Sequence, residues 1–237
     1  MEYDIIIKVE RMQERLNWLL GENLELITNK TILIVGLGGV GGYTLEALAR
    51  TGIQKLIIVD NDIVDISNIN RQIIALTNTI GKYKTDVFEK RIHFINPHCE
   101  VIKITEFITK ENLSMLFSTP IDYVVDACDT LETKKEIIKY CLQHNIKFVS
   151  SMGMAKRIDC TKIKVSDLSK TCYDPLAKKL RFLLRKENIK GKIPVIYSEE
   201  IPLKIEKLGS IITVVATAGF MCANYIINDI IKGVNHE

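Results

Sequence analysis

No Cys-x-x-Cys pair occurs anywhere in the 237 residues. The six cysteines (Cys99, Cys128, Cys141, Cys160, Cys172 and Cys222) are scattered singly, which argues against a disulfide framework and a four-cysteine zinc site and fits reduced thiols in the cytoplasm. The opening MEYDIIIKVERMQERL mixes acids with bases and lacks both an uninterrupted apolar core and an Arg/Ser-rich bias, so neither a secretory signal nor a transit peptide is expected. Net charge is also scarce: +3 at neutral pH permits an anionic partner without demanding one. No internal repeat or low-complexity tract is visible. The longest apolar stretch, Ile211 to Ile231, is broken by Thr213, Thr217, Asn224, Asn228 and Asp229. It reads as a tightly packed helix, and no membrane association is expected.

What is present is an alternation of short apolar strands with amphipathic helices. KTILIVGLGGVGGYTLEALARTG reads as a buried strand, a glycine turn and a helix stopped at Gly52; KLIIVD, CEVIKI, DYVVDA and KFVS follow as strands. Helical patterns run from Lys82 to Ile95 and from Glu132 to His144, with a short one after Thr109. Strand and helix in turn predict an α/β fold: a Rossmann-like, doubly wound, mostly parallel sheet with helices on both faces. After Thr161 the rhythm changes to TKIKVSDL, a strand, and DPLAKKLRFLLRK, a helix capped by Asp174 with Pro175 at its first position. One domain is expected, with an N-terminal helical arm (1–28), a nucleotide-binding core (29–150) and a C-terminal extension (151–237) facing the substrate and serving dimerisation.

Gly36, Gly38 and Gly41 form GxGxxG between the first strand and the first helix of the core, with Gly39 inside it, and Asp60 ends the second strand. Such a turn lets backbone approach phosphates at a helix N-terminus, and the acid accepts ribose hydroxyls. A tight turn without a ligand is the bland alternative, and a nicotinamide enzyme satisfies the same pattern. The following DNDIVDISNINRQI separates these readings. Hydride transfer needs no cation there, whereas nucleotidyl transfer builds negative charge on phosphate, which Arg, Lys and Mg²⁺ stabilise. Arg71, Lys84 and Asp129 supply that set. Singly, each has a plain alternative: Lys84 as a solvated helix residue and Asp129 as a helix cap partnered by Glu132. Asp126 reads as structural.

In this order GLGGVG, Asp60, SNINRQ, GKYK and DACD resemble the ubiquitin-activating-enzyme-like, ThiF-like adenylyltransferase family. The resemblance implies ATP and Mg²⁺, with no zinc. It implies that Asp60 binds ribose, that Asn68, Arg71 and Lys84 hold the triphosphate with Gln72 and the glycines beside them, and that Asp129 coordinates the metal. Arg71, Lys84 and Asp129 would be catalytic. It also implies a homodimer in which an N-terminal arginine, Arg11 in preference to Arg15, completes the partner's site. Cys160 and Cys172 have no neighbouring His in sequence and read as incidental thiols rather than nucleophiles.

The second half narrows the resemblance. INRQIIALTNTIGKYKTDVFEKRIHFINPHCEV, FITKENL, IKYCLQHNIKFVSSMG, KVSDLSKTCYDPLAKKLR and VIYSEE are similar to the tRNA threonylcarbamoyladenosine dehydratase branch of that family. This implies activation of the threonyl carboxylate of a modified adenosine beside the anticodon, followed by attack of the adduct's own carbamoyl nitrogen to close a ring. A sulfur-transfer or desulfurase system is a further partner suggested by the branch. Lys178, Lys179, Arg181, Arg185 and Lys186 then gain a physical purpose as phosphate contacts for tRNA, a Lys-rich solvated helix face being the alternative. Lys170, Thr171 and Ser198 stand on the substrate side by position. Two other readings stay open: an adenylyltransferase acting on the C-terminus of a small sulfur-carrier protein, and a nucleotide-binding regulatory module. The sequence departs from the branch at Met154, Ala155, Lys156 and Arg157, where more glycine is expected, and in the short segment before Gly209; extra cations near the substrate or a different loop conformation are the two options.

Overall fold

The computed structural model describes residues 2–234. Two helices, α1 (Glu2–Leu20) and α2 (Asn23–Thr28), precede the sheet. The core then alternates β1 (Thr31–Val35), α3 (Gly39–Arg50), β2 (Lys55–Val59), α4 (Lys84–Ile95), β3 (Glu100–Ile104), β4 (Tyr123–Asp126), α5 (Leu131–Gln143) and β5 (Lys147–Ser151). β6 (Ile163–Asp167), α6 (Pro175–Lys186), β7 (Pro194–Ser198) and α7 (Ile212–Val234) complete it. All seven strands form one sheet in the order β3-β2-β1-β4-β5-β7-β6, parallel except that β6 runs antiparallel to β7. The short helix expected after Thr109 is a 3₁₀ segment, Leu113–Phe117.

Period-two alternation explains why the central strands read as unbroken apolar runs. In β1, Ile32 and Ile34 face one layer with α3, α4 and α7, while Leu33 and Val35 face the other with α5 and α6. In β2, Leu56 and Ile58 divide from Ile57 and Val59 in the same way.

α7 is the apolar stretch that invited the membrane question, and Ile212–Gly233 is indeed long and apolar enough to cross a membrane. Here it lies against α3, burying Val214, Val215, Ala218, Cys222, Ala223 and Ile226. The approach is close. A Cβ on Gly219 would collide with the Val40 carbonyl oxygen, and one on Gly39 would come within 2.9 Å of Val215 Cγ2. The Thr44 hydroxyl donates to the Gly219 carbonyl at 2.9 Å across the same contact.

The end of β4 is pinned by a buried ion pair. Lys134 Nζ on α5 donates to Asp126 Oδ2 at 3.0 Å and to Ser150 Oγ at 3.3 Å, and Ser150 Oγ donates to Asp126 Oδ2 at 2.5 Å. Both charged side chains are 0% exposed. Burial opposes the Lys134 charge, but Asp126 holds the ammonium pKa above its ordinary value. Asp126 is therefore structural. Lys134→Met strands the Asp126 carboxylate without its partner, so unfolding titrations should show a loss of about 3–5 kcal/mol; native stability in that variant would contradict the pinning role.

Candidate functional site

The turn from β1 to α3 is forced by close backbone approach. Gly36 sits at φ +89°, and an added Cβ would come within 2.7 Å of the Ala127 carbonyl oxygen beyond β4. A Cβ on Gly41 would strike the Gly36 carbonyl oxygen, so the start of α3 stacks on the turn itself. Gly38 differs: its Cβ would meet nothing closer than Gln72 Nε2 at 3.8 Å. Its vacant side-chain position therefore opens onto free space at the helix N-terminus, where backbone N–H groups and the helix dipole favour an anion.

Asp60 ties this turn to the end of β2. Its Oδ2 accepts from the Leu37 N–H at 2.6 Å and its Oδ1 from the Asp62 N–H at 2.8 Å. Burial pushes the carboxyl pKa up, with Lys84 and the two backbone N–H groups working against the rise.

Beyond Asp60 the chain makes an excursion whose two ends are joined, with the Lys84 N–H donating to the Asp62 carbonyl at 3.0 Å and the Val64 N–H to the Lys82 carbonyl at 2.8 Å. That closure explains how a helix residue reaches the strand end. Lys84 Nζ lies 2.7 Å from Asp62 Oδ2 and 3.7 Å from Asp60 Oδ1 with its side chain only 5% exposed. It is a buried cation facing two acids, not a solvated helix residue. Asp62, its nearer partner, was not foreseen as part of the site, although it stands two residues from Asp60 in the sequence.

The excursion carries the other expected residues. Asn68 is buried and its Oδ1 accepts from the Asp65 N–H at 3.1 Å, half of a capping box with Asp65. Arg71 folds over its own turn, donating from Nη1 to the Ser67 carbonyl at 2.8 Å and to Asn70 Oδ1 at 2.9 Å. Gln72 is buried with its amide over Gly38, and its Oε1 has no hydrogen-bond partner. A buried acceptor without a donor costs free energy, and a ligand donor at the glycine turn would relieve it.

Asp129 is exposed just past β4, after the Ala127–Cys128 segment that abuts Gly36. The N-cap of α5 is Thr130, with no side-chain cap bond, so Asp129 is not the cap that its spacing to Glu132 allows. Among the described residues no group of three or more His, Cys, Asp or Glu is placed to hold a metal. Mg²⁺ bound through one carboxylate and substrate phosphates requires no such group. Arg11 is exposed on α1.

The cations of the second half divide in two. Lys178, Lys179, Arg185 and Lys186 are exposed on α6. Arg181, expected to join them, instead turns inward: its Nη1 donates to the Leu168 and Thr171 carbonyls, each at 3.2 Å, and to the Thr171 hydroxyl. Arg157 is likewise buried, bonded to the Gly153 and Tyr173 carbonyls and 3.5 Å from Asp174. Lys156 Nζ donates to the Ile205 carbonyl. The departing loop therefore spends its cations on holding the chain rather than presenting them. Thr171 and Ser198 are buried and bonded to their own backbone surroundings, while Lys170 is exposed. Burial pushes the thiols of Cys99, Cys141 and Cys222 up to about 12, far from the thiolate state a nucleophile needs.

A glycine turn at the carboxyl edge of a parallel sheet, a strand-end acid and a buried lysine define a nucleotide-binding α/β protein. Residues 12–236 match the ThiF family, and the chain belongs to that family. The tRNA threonylcarbamoyladenosine dehydratase of Bacillus subtilis (strain 168) is 46% identical over 186 residues, 78% of this chain and 73% of that protein. The crystal structure of E. coli tRNA N6-threonylcarbamoyladenosine dehydratase in complex with ATP matches with a TM-score of 0.92 at 36% identity, covering 96% of this chain and 97% of that one. A probable molybdopterin-synthase adenylyltransferase of Porphyra purpurea is 38% identical over 124 residues, 52% of this chain and 32% of that protein.

Two glycine substitutions separate folding from binding. Gly36→Ala should cost about 1–3 kcal/mol of stability from the left-handed backbone, with the clash added. Gly38→Ala should leave the melting temperature in place and weaken ATP binding measured by calorimetry. ATP affinity equal to wild type in Gly38→Ala would remove this turn from the phosphate site.

Proposed function

We propose that the protein catalyses the ATP-dependent dehydration of N6-threonylcarbamoyladenosine in tRNA, beside the anticodon, through adenylation of the threonyl carboxylate. The observation that carries this reading is the extent of the likeness: it runs over nearly the whole chain for the E. coli dehydratase, α6 and the β6–β7 extension included. The sulfur-carrier alternative finds its likeness over about half the chain, 52% for the Porphyra protein. That half is what all adenylating relatives would be expected to share.

In this reading the carboxylate oxygen attacks the α-phosphorus, pyrophosphate leaves, and ring closure within the nucleoside expels AMP together with that oxygen. The nucleoside thus loses one water, and no enzyme thiol enters the route. Asp60 accepts ribose hydroxyls through the lone pairs that Leu37 and Asp62 leave free. The turn of Gly36, Gly38, Gly39 and Gly41 admits phosphate to the α3 N-terminus, beside the Gln72 amide, whose Nε2 is the donor that faces Gly38. Arg71 and Lys84 face the charge that grows on the phosphates, with Asn68 shaping the turn that carries Arg71. Arg71 gives up two neutral acceptors, the Ser67 carbonyl and the Asn70 amide, for a charged one, an exchange that favours the bound state. Asp129 would hold Mg²⁺, which when bound supplies positive charge to the leaving phosphates.

The protein acts as a homodimer in the cytoplasm, with Arg11 of the partner subunit completing each site. The C-terminal part, 151–237, faces tRNA through Lys178, Lys179, Arg185 and Lys186. Arg181 supports that face from within by fixing the Leu168–Thr171 turn.

The test is mass analysis of nucleosides from tRNA bearing threonylcarbamoyladenosine, incubated with protein and Mg-ATP under mild, amine-free conditions. Loss of one water is expected, and Arg71→Ala should slow it by roughly 100-fold or more. ATP turnover that needs a carrier protein's C-terminus, with the nucleoside mass unchanged, would hand the function to the sulfur-carrier reading.

A further inference from the structure

Both ends of α6 are tied to segments leaving the carboxyl edge of the sheet. At its start Asp174 accepts from the Ala177 N–H at 2.9 Å and from the Gly153 N–H, just beyond β5, at 3.1 Å. At its end Glu187 accepts from Lys135 at 2.6 Å, and Lys135 also pairs with Glu132 at 2.7 Å, in the first turn of α5 after Asp129. The inner face buries Ala177, Leu180 and Leu184. These anchors hold α6 at the carboxyl edge of the sheet with its outer face exposed.

Phe182 lies on that outer face, 68% exposed. Lys178 and Lys179 precede it by four and three residues, and Arg185 and Lys186 follow by three and four. On a helix these four positions are the side chains adjacent to its ring. All four are exposed, and no ion pair engages them among the described residues. A lone exposed apolar residue is ordinary. An aromatic ring framed on four sides by unpaired cations has a specific complement. An apolar protein surface would have to desolvate those charges without neutralising them, whereas a single-stranded polyanion offers phosphates for the cations and a planar base for the ring.

We infer that Phe182 is a stacking platform for an unpaired base of the anticodon loop, a neighbour of the reacting nucleoside, with Lys178, Lys179, Arg185 and Lys186 taking the flanking phosphates. RNA loops are recognised in this manner, by splayed bases on aromatic side chains above a basic surface. The inference rests on tRNA being the substrate. It adds to that reading a contact that discriminates unpaired from paired RNA, which the cations alone do not provide.

The experiment is fluorescence anisotropy of a labelled anticodon stem-loop with the full-length protein across a potassium chloride series. Phe182→Leu should weaken binding by roughly 5- to 100-fold with the salt slope unchanged, because stacking releases no counterions. Phe182→Tyr should restore the affinity. The double variant Lys178→Ala, Lys179→Ala should flatten the slope by roughly 1.4. Wild-type affinity in Phe182→Leu, or an equal loss of affinity for a fully paired RNA duplex, overturns the inference. The nucleoside mass assay on wild-type protein separates the two claims. Phe182-dependent binding without loss of water keeps the stacking contact and sinks the dehydratase reading, while dehydration with a fully competent Phe182→Leu variant sinks only the stacking.

Discussion

The hydrogen bond from the Leu37 N–H to Asp60 is the constraint on which the site depends. It joins the ends of two adjacent parallel strands at the point where the chain turns into α3. Because Gly36 is wedged against Ala127 at the same level, the ends of β1, β2 and β4 are brought into one edge by the Asp60 carboxylate together with this backbone contact. Lys84 reaches that edge only because the excursion from Asp62 closes on itself. The resulting arrangement places a buried cation against two acids, and none of the three can be altered without shifting the charge that a polyphosphate meets. α7 supports the turn from behind, through the contact of Gly39 with Val215.

The second half uses its charge differently from the first. Arg157, Arg181 and Lys156 each satisfy carbonyl oxygens of irregular segments, where no regular ladder could do so. Arg157 and Arg181 bind the Gly153, Tyr173, Leu168 and Thr171 carbonyls around the start of α6 and so set where the helix lies, whereas Lys156 ties its loop to the Ile205 carbonyl in an exposed bond. Lys178, Lys179, Arg185 and Lys186 make no such bonds among the described residues and stay exposed. A formal charge of +3 over the whole chain conceals this division.

The parallel core strands, the glycine turn, and β6 and α6 of the extension were legible because they rest on local patterns: two-residue alternation, a capped helix start and glycines at fixed spacing; β7 was not assigned as a strand. The reversed direction of β6 was not legible either, since strand polarity depends on how the connection from Ser151 crosses the edge. Lys84 was expected to face the triphosphate, but its burial against Asp60 and Asp62 was not legible, because it follows from closure of a long excursion that no periodicity records. Arg181 was miscounted for a similar reason. On the wheel it borders the cationic face, and only the position of the Leu168–Thr171 turn draws it inward. Phe182 was hidden by its company, an apolar letter among the leucines of KKLRFLLRK, though its offset from Leu180 and Leu184 already placed it on the opposite side.

Asp126 and Asp129 show why two carboxylates so near one another in sequence have separate physical roles. A second free carboxylate at this edge would repel the phosphates that Asp129 is proposed to hold through a metal. Lys134 removes that repulsion by pairing with Asp126 inside the core, where Ser150 and the thiol of Cys128 also donate to it. The strand end thus keeps the rigidity of a buried ion pair while presenting a single negative charge to solvent. Just past β2, Lys84 compensates one of the two charges of Asp60 and Asp62, so the exposed Asp62 shares with the exposed Asp129 the negative charge left at this edge.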